Sequence, residues 1–450
     1  MQSLDYKYLK KVCYKTLSLW DVKRYGVKRI SFKNAVRLYE VLSPHIEPLS
    51  KEELFANNWR IISKINFAGD LFLRDINEAK TFSGNLFKVI PESLIYSKIN
   101  VRHGCIYYHP ENATPFGVSS EYPVYQIDLT RVLGQYLVMV IQSDYFKSVL
   151  SKKTTGISKA RVKPAEFLDI EIPLPDISIQ NALLASYNSK IQKSNNLEQE
   201  AIAIENGNNA YLSQRLGATI NKKDNDIRDG YKYLRFARFR FINEWGIDII
   251  LKKGKQESFK YPIVKIKDLC HLGSGGTPSR SNPQYYYGDI PWIKTGEVVN
   301  EEIFETEEHI TKEAIANSSA KLYPKGSLII AMYGQGDTRG RTAKLAIEAT
   351  TNQACAVLYD IDNTIVSTDY LWYYLQGRYH DLRSLASGNN QPNLNAGKIK
   401  NYDVVVPPME IQNEIVAHFK EQKLLAKSLR HRAQTLREEA LKEFETKIFE

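Results

Sequence analysis

Three stretches in the second half of the chain gather side chains able to read and hold a nucleic acid. Thr277, Ser279, Arg280 and Asn282 share one glycine-proline loop, "GSGGTPSRSNP", and Lys294 follows in "IPWIKTGEV". Gln335, Asp337, Arg339 and Arg341 crowd "YGQGDTRGR", directly after an apolar run. Asn389, Asn390, Gln391 and Asn393 make "SGNNQPNLN" rich in amides. In the first half the counterpart is Lys152, Lys153, Thr154, Thr155, Ser158, Lys159 and Arg161, with Lys163 just beyond. Amides, hydroxyls and guanidinium groups exchange hydrogen bonds with base edges, while lysine, arginine and backbone amides hold phosphates. Each loop has a plainer competing role. Gly-Ser-Asn-Pro stretches are mostly turns, Asn389 and Asn390 can cap a helix, and Arg339 and Arg341 can simply be solvated.

The signatures of catalysis are missing. "SGGTPS" lacks the Gly-Lys-Ser/Thr of a phosphate-binding loop, and "YGQGDTRG" has the wrong glycine spacing for a dinucleotide fingerprint. "VPPM" at 406–409 has valine and methionine where an adenine methyltransferase motif needs Asp or Asn and an aromatic, so it reads as the start of a helix. The eight histidines are scattered. His103 and His109 flank a loop without zinc or triad spacing, and His103 reads as a polar or DNA-facing residue. No carboxylate cluster followed by lysine marks a nuclease. The chain is expected to be non-catalytic.

The elements that must position these loops come in two sets. "PDISIQNALLA" at 175–185 returns as "PPMEIQNEIVA" at 407–417, so Gln412 lies 232 positions after Gln180. At the same offset Gly156 falls on Gly388, Ile172 on Val404, Pro175 on Pro407 and Asp128 on Asp360. Upstream, "YKYLK" at 6–10 matches "YKYLR" at 231–235, and Trp20 matches Trp245, both at an offset of 225. Similarity in fixed register argues for two domain-sized copies of one unit, near 1–220 and 221–450. In the second, "GSLIIAMY" at 326–333 and "QACAVLYDI" at 353–361 read as buried strands. "STDYLWYYLQG" at 367–377 reads as a core helix, and "DVVVP" at 403–407 as a strand ending at proline.

A long helix follows each copy. Ile179, Leu183, Tyr187, Ile191 and Leu197 in the first, and Ile411, Ile415, Phe419, Leu425, Leu429 and Leu436 in the second, form imperfect coiled-coil stripes. Ile202 and Leu441 extend the same stripes. Each helix would run about 40 residues, or about 60 Å at 1.5 Å per residue. Such a helix needs a partner, and the other copy's helix is the nearest candidate for antiparallel pairing. The predicted architecture is α/β (α+β): two duplicated globular domains joined by two long antiparallel coiled-coil helices. Its boundaries are 1–175 for an N-terminal extension and the first domain, and 176–220 for the first helix. Residues 221–407 then hold a basic segment and the second domain, and 408–450 the second helix.

Composition bounds the partners. At 450 residues, 43% hydrophobic and 25% charged, the chain suits a multi-domain globular protein. No apolar run reaches the roughly 20 residues that span a bilayer, "MQSLDYKYLKKVC" has no apolar core of the kind expected of a signal peptide, and four scattered cysteines suit reduced thiols. A cytoplasmic protein is expected. The net charge of +10 favours polyanionic partners. Aromatics interleave with bases in "YKYLRFARFRF" at 231–241, a pattern that suits stacking or a packed amphipathic element.

Together and in order, "GSGGTPSRSNPQYYYGDIPWIKTGEV" (273–298), "TNQACAVL" (351–358) and "SGNNQPNLNAGKIKNYDVVVPPMEIQNEIV" (387–416) resemble the target-recognition domain and following helix of type I restriction-modification specificity subunits. The first copy keeps the framework of "TTGISKARVKPAEFLDIEIPLPDISIQNALL" (154–184) but lacks the GGTPS and GNNQPNLN wording. The resemblance implies a DNA-specificity subunit that reads a bipartite site, one recognition domain per half-site. It further implies docking, on the helices, of two methyltransferase subunits and of restriction/translocase subunits. S-adenosylmethionine, ATP and Mg would belong to those partners, with no cofactor or metal in this chain. The competing readings are a one-chain methyltransferase or nuclease, and a coiled-coil scaffold that binds proteins without sequence-specific DNA readout.

Overall fold

A computed structural model describes Phe32 and residues 34–152, 161–222, 255–334, 336–385 and 394–449. The basic segment at 231–241 and residues 1–31 lie outside the described residues. The chain divides into two compact units. Unit 1 is Met1–Asn196 with Arg432–Glu450, and unit 2 is Leu197–His431.

Unit 1 is built on a four-stranded antiparallel sheet in the order Leu42–His45, Val124–Ile127, Ser93–Tyr96, Ile106–His109. The strand Ser93–Tyr96 is buried along its whole length because it feeds two cores. Leu94 and Tyr96 face one with Tyr125, Tyr136, Phe146 and Phe167, while Ile95 faces another with Val89, Phe116 and Val118. Side chains alternate across a strand, so an unbroken apolar run fits only a sheet covered on both faces. The helix Gly134–Gln142 buries Tyr136, Leu137, Val140 and Ile141 in the first of these cores.

Unit 2 repeats that logic in a five-stranded sheet: His271–Ser274, Cys355–Tyr359, Leu328–Ala331, Thr342–Leu345, Glu302–Ile303. Leu328 and Ile330 pack with Ala356 and Leu358 on one face, while Ile329 and Ala331 pack with Cys355 and Val357 on the other. The helix Thr368–Gly377, started by Ser367 accepting from the Tyr370 backbone N–H, buries Tyr370 through Leu375. The strand and core-helix expectations for this region therefore hold. A second, three-stranded sheet pairs Ile290–Ile293 with Glu308–Ile310 and Thr350–Thr351.

The repeated glutamines perform one task in both units. Gln180 is fully buried and its Nε2 donates to the carbonyls of Arg131 (2.9 Å) and Pro175 (2.8 Å), while its Oε1 accepts from the Leu133 N–H (2.9 Å). Gln412, equally buried, donates to Ile365 (3.0 Å) and Pro407 (2.9 Å) and accepts from Ser367 (2.8 Å). Leu133 and Ser367 are each the N-cap residue of a core helix. One buried amide thus ties the start of a long helix to the start of the helix it packs against, and satisfies three backbone groups.

Neighbouring bonds recur as well. Tyr136 Oη donates to Pro173 O (3.0 Å) and Tyr370 Oη to Val405 O (2.5 Å). Asp128 accepts from the Thr130 hydroxyl and Asp362 from the Thr364 hydroxyl, each at 2.6 Å. The partner of Asp128 is therefore Asp362, two residues beyond the expected Asp360, which instead bonds His271 at 3.2 Å.

The long helices are Ile177–Arg215 and Met409–Phe449. Within unit 1, Lys190 bonds Glu443 (2.5 Å) and Ser194 Oγ donates to Ala433 O (2.8 Å). Within unit 2, the Arg430 guanidinium grips both oxygens of Glu205 (2.5 and 2.8 Å) and reaches Glu198 (3.3 Å), Arg215 pairs with Glu414, and Tyr211 stacks on His418. Rising numbers on one helix meet falling numbers on the other in both units, so each pairing is antiparallel.

The seam differs from the expected stripe. Ile179 (50% exposed) and Leu425 (45%) face away from it, as do Ile202 and Leu441. Its buried positions include Ala201, Ala426, Ala433, Ala440 and Ser194, small side chains that let two backbones approach, together with Leu436, and with Leu183, Ile415 and Phe419 toward the cores. Tyr187, Ile191, Leu197, Ile411 and Leu429 are half-buried.

Candidate nucleic-acid interface

The loop after the strand His271–Ser274 is forced against the three-stranded sheet by two glycines. A Cβ on Gly275 would lie 2.0 Å from Thr351 O, and one on Gly276 2.3 Å from the Ala320 backbone nitrogen. Only glycine permits that approach, and it lets the Gly276 N–H donate to Thr351 O at 2.8 Å. Trp292 Nε1 donates to Gly276 O (2.9 Å) and Tyr286 Oη to Pro278 O (2.6 Å), pinning both ends of the loop.

On this frame Thr277 and Ser279 are exposed, with Thr277 bonded to Gln353 and Ser279 to Ser281. Asn282 is half-buried and accepts from the Gln284 N–H at 3.3 Å, so its side chain shapes a turn. Arg280 sits over the Tyr286 ring (4.0 Å from guanidinium carbon to ring centre) and next to Trp292 (5.2 Å). Its charge meets Glu308 at 2.8 Å, and Lys294 meets the same carboxylate at 3.1 Å and Glu307 at 2.8 Å. Burial alone would raise the Glu308 carboxyl, but hydrogen bonds from Lys294 and Arg280 hold it below its ordinary range. Lys294 is raised above its ordinary value by Glu307 and Glu308. Two sequence-nominated cations therefore converge on one acid that the sequence reading missed. Glu308 sits there because it pairs directly with Trp292 across the sheet.

A second loop, "YGQGDTRGR", follows the strand Leu328–Ala331 and turns on Gly334, Gly336 and Gly340, all at positive φ. Arg383 donates to Gly336 O (2.8 Å) and Arg339 O (3.3 Å), and Tyr379 Oη donates to Asp337 O (2.8 Å). These two side chains from the helix Tyr379–Ser384 fasten the loop from beneath, and neither was nominated from sequence. Arg339 and Arg341 are half-buried, while Gln335 lies outside the described residues.

The other nominated groups divide similarly. Asn389, Asn390, Gln391 and Asn393 lie outside the described residues, as do Lys153, Thr154, Thr155, Ser158 and Lys159. Lys152 ends the helix Asp144–Lys152. Arg161 binds Glu121 through two nitrogens at 3.2 and 3.4 Å. Sequence reading also passed over exposed aromatics such as Phe67 in unit 1 (66%) and Tyr287 in unit 2 (81%), because it weighed aromatics for stacking only where they interleave with bases.

Residues 259–424 match the family model of the type I restriction modification DNA specificity domain. The chain is 28% identical over 190 residues to the type I restriction enzyme MjaIX specificity subunit of Methanocaldococcus jannaschii, covering 40% of this chain and 41% of that protein. It is 29% identical over 166 residues to the EcoR124I/EcoR124II specificity subunit of Escherichia coli, covering 35% of this chain and 41% of that one. The matched stretch thus spans about two-fifths of the length of each of these two relatives. In fold, the chain superposes with TM-score 0.56 and 18% identity on a chain solved in work on complex assembly and conformational transition of the type I R-M system, covering 94% of this chain and 98% of that chain. Among the described residues no helix is long and apolar enough to cross a membrane.

Proposed function

We propose that this chain is a type I restriction-modification specificity subunit and the non-catalytic DNA reader of its complex, a reading supported by the specificity domain matched at 259–424 and by the specificity subunits it resembles. Each unit would read one half of a split site. The observation that carries the two-reader reading is the identical bonding of Gln180 and Gln412, which fits two copies of one recognition module. The protein-binding scaffold is not favoured, because the matched domain is a DNA specificity domain.

In this reading the chain works in the cytoplasm on double-stranded DNA. It docks two methyltransferase subunits, which supply S-adenosylmethionine chemistry on a flipped adenine, and restriction/translocase subunits, which use ATP and Mg. The chain itself supplies register and choice of site, and the length of the paired helices sets the unspecified gap. Methylome sequencing of cells carrying the neighbouring methyltransferase gene, with and without this gene, tests the proposal. A split adenine-methylated motif that vanishes on deletion is the expected result. An unchanged methylome overturns it.

The acid between Arg280 and Lys294 yields a further expectation. In this reading Glu308 competes with a phosphate for the two cations, so Glu308→Gln, at no cost in volume, releases Arg280 from its carboxylate and leaves Lys294 paired with Glu307 alone. Duplex binding at low salt should tighten several-fold, and the log–log salt dependence should steepen by roughly one unit for each additional phosphate engaged. Weaker binding by this variant would mean that Glu308 serves to hold Arg280 in its binding pose.

A further inference from the structure

Unit 1 holds a phenylalanine out into solvent on a turn built to keep it there. Phe67 lies between the strands Ile62–Ile65 and Leu71–Leu73 and is 66% exposed. Asn66 organises the turn: its Oδ1 accepts from Ala68 N (3.0 Å) and Asp70 N (2.8 Å), its Nδ2 donates to Asp70 Oδ2 (2.9 Å), and its backbone N–H donates to Asp70 O (3.0 Å). Gly69, at φ 89°, completes the reversal. From the core helix Gly134–Gln142, Gln142 Nε2 donates to Gly104 O (3.0 Å) and Ala68 O (3.4 Å). Gly104 lets the turn press close, since a Cβ there would stand 2.7 Å from Phe67 O. An exposed ring on a floppy loop would be unremarkable, but here the backbone beneath it is fixed from both sides.

The surroundings suit a polyanion. The Phe67 ring lies 5.3 Å from the His103 ring, and Arg102 Nε donates to His103 Nε2 at 3.1 Å. Lys64, on the strand leading into the turn, sits 5.1 Å from the ring centre of Phe72, itself exposed. The nearby acids are engaged: Asp70 by Asn66 and Asp144 by Lys147 (3.4 Å). An apolar tip on a braced turn, backed by His103 and through it by Arg102, fits the base stack of a duplex beside a phosphate, where such tips pry neighbouring base pairs apart.

We infer that Phe67 is a wedge that enters the DNA base stack in the half-site read by unit 1, an inference that rests on the DNA-reading role above. Duplexes enriched by the full-length chain from a random pool provide the probe. Phe67→Ala should bind them about tenfold or more weakly, as expected for loss of base stacking, with an unchanged salt slope because no charge is lost. Phe67→Trp should restore affinity to within about threefold, because it keeps a flat ring. With wild type, 2-aminopurine scanned through the enriched duplex should brighten at one step, and Phe67→Ala should abolish that signal. Unchanged affinity and fluorescence for Phe67→Ala overturn the wedge and leave the DNA reading standing. A full-length chain that enriches no duplex overturns both.

Discussion

Replacing Gln412 by methionine should cost unit 2 about 3–5 kcal/mol. Three hydrogen bonds to a fully buried amide vanish, and each backbone group left without its partner carries a penalty of about 1–3 kcal/mol, least where water can reach it. The stranded groups are Ser367 N–H, Ile365 O and Pro407 O. Against a typical total of about 5–15 kcal/mol, that loss is large. It should fall hardest on the helix Thr368–Gly377, whose first residue follows Ser367 and whose buried run fills the unit 2 core. Gln412→Glu is no milder, since it keeps one acceptor, loses both donations and buries a charge. Asn413→Ala, one position along and exposed, should stay within about 0.5 kcal/mol of wild type. Urea unfolding of the three variants, followed by tryptophan fluorescence, checks the ordering. A Gln412→Met midpoint equal to that of Asn413→Ala would refute the latch.

Gly275→Ala should be the next most damaging change, at about 2–3 kcal/mol for overpacking against atoms that cannot yield. Its nearest obstacles are the carbonyl oxygen and side chain of Thr351, at 2.0 and 2.2 Å, held in a strand that pairs with Ile293. Relief requires the loop to lift, which breaks the Gly276 to Thr351 bond and carries Thr277, Ser279 and Arg280 with it. Duplex binding should therefore fall along with stability. Gly296→Ala, where nothing lies within 4 Å of the new atom, is the matched control and should change neither. Equal unfolding midpoints and equal DNA affinities for the two alanine variants would contradict the close-approach account.

Much of this was legible in the sequence for identifiable reasons. The apolar run at 328–331 announces a strand covered on both faces, and the Pro-Pro before Met409 announces a helix start. The repeated "IQN" announces a shared task, but its content stays hidden, since the carbonyls and N–H groups that Gln412 meets include two more than 40 positions upstream. The two-residue shift from Asp360 to Asp362 was within reach. An Asp-x-Thr pair recurs at 128–130 and 362–364, and the hydroxyl bond to the aspartate is what makes the pair a unit. Of the expected stripe, Ile179 and Leu425 lie exposed, while alanine and serine hold buried positions that a trace through large apolar residues passes over. Among the site residues, the chemical types of Arg280 and Lys294 could be read directly. Their shared carboxylate could not, because cross-strand register brings Glu308 to them.

The composition of unit 1 has a consequence for the order in which the protein can be made. Its core includes Phe444 and Ile448, yet the rest of that core precedes residue 197. A ribosome must therefore synthesise all of Leu197–His431 before the residues that finish unit 1 exist, a delay of roughly 10–50 s at typical elongation rates. Through that interval Leu183, Leu184 and Tyr136 lack their final covering and stay open to chaperones or to a neighbouring nascent chain. Unit 2, continuous in sequence, can close as soon as its last helix emerges. The segment translated first is the one that completes its folding last.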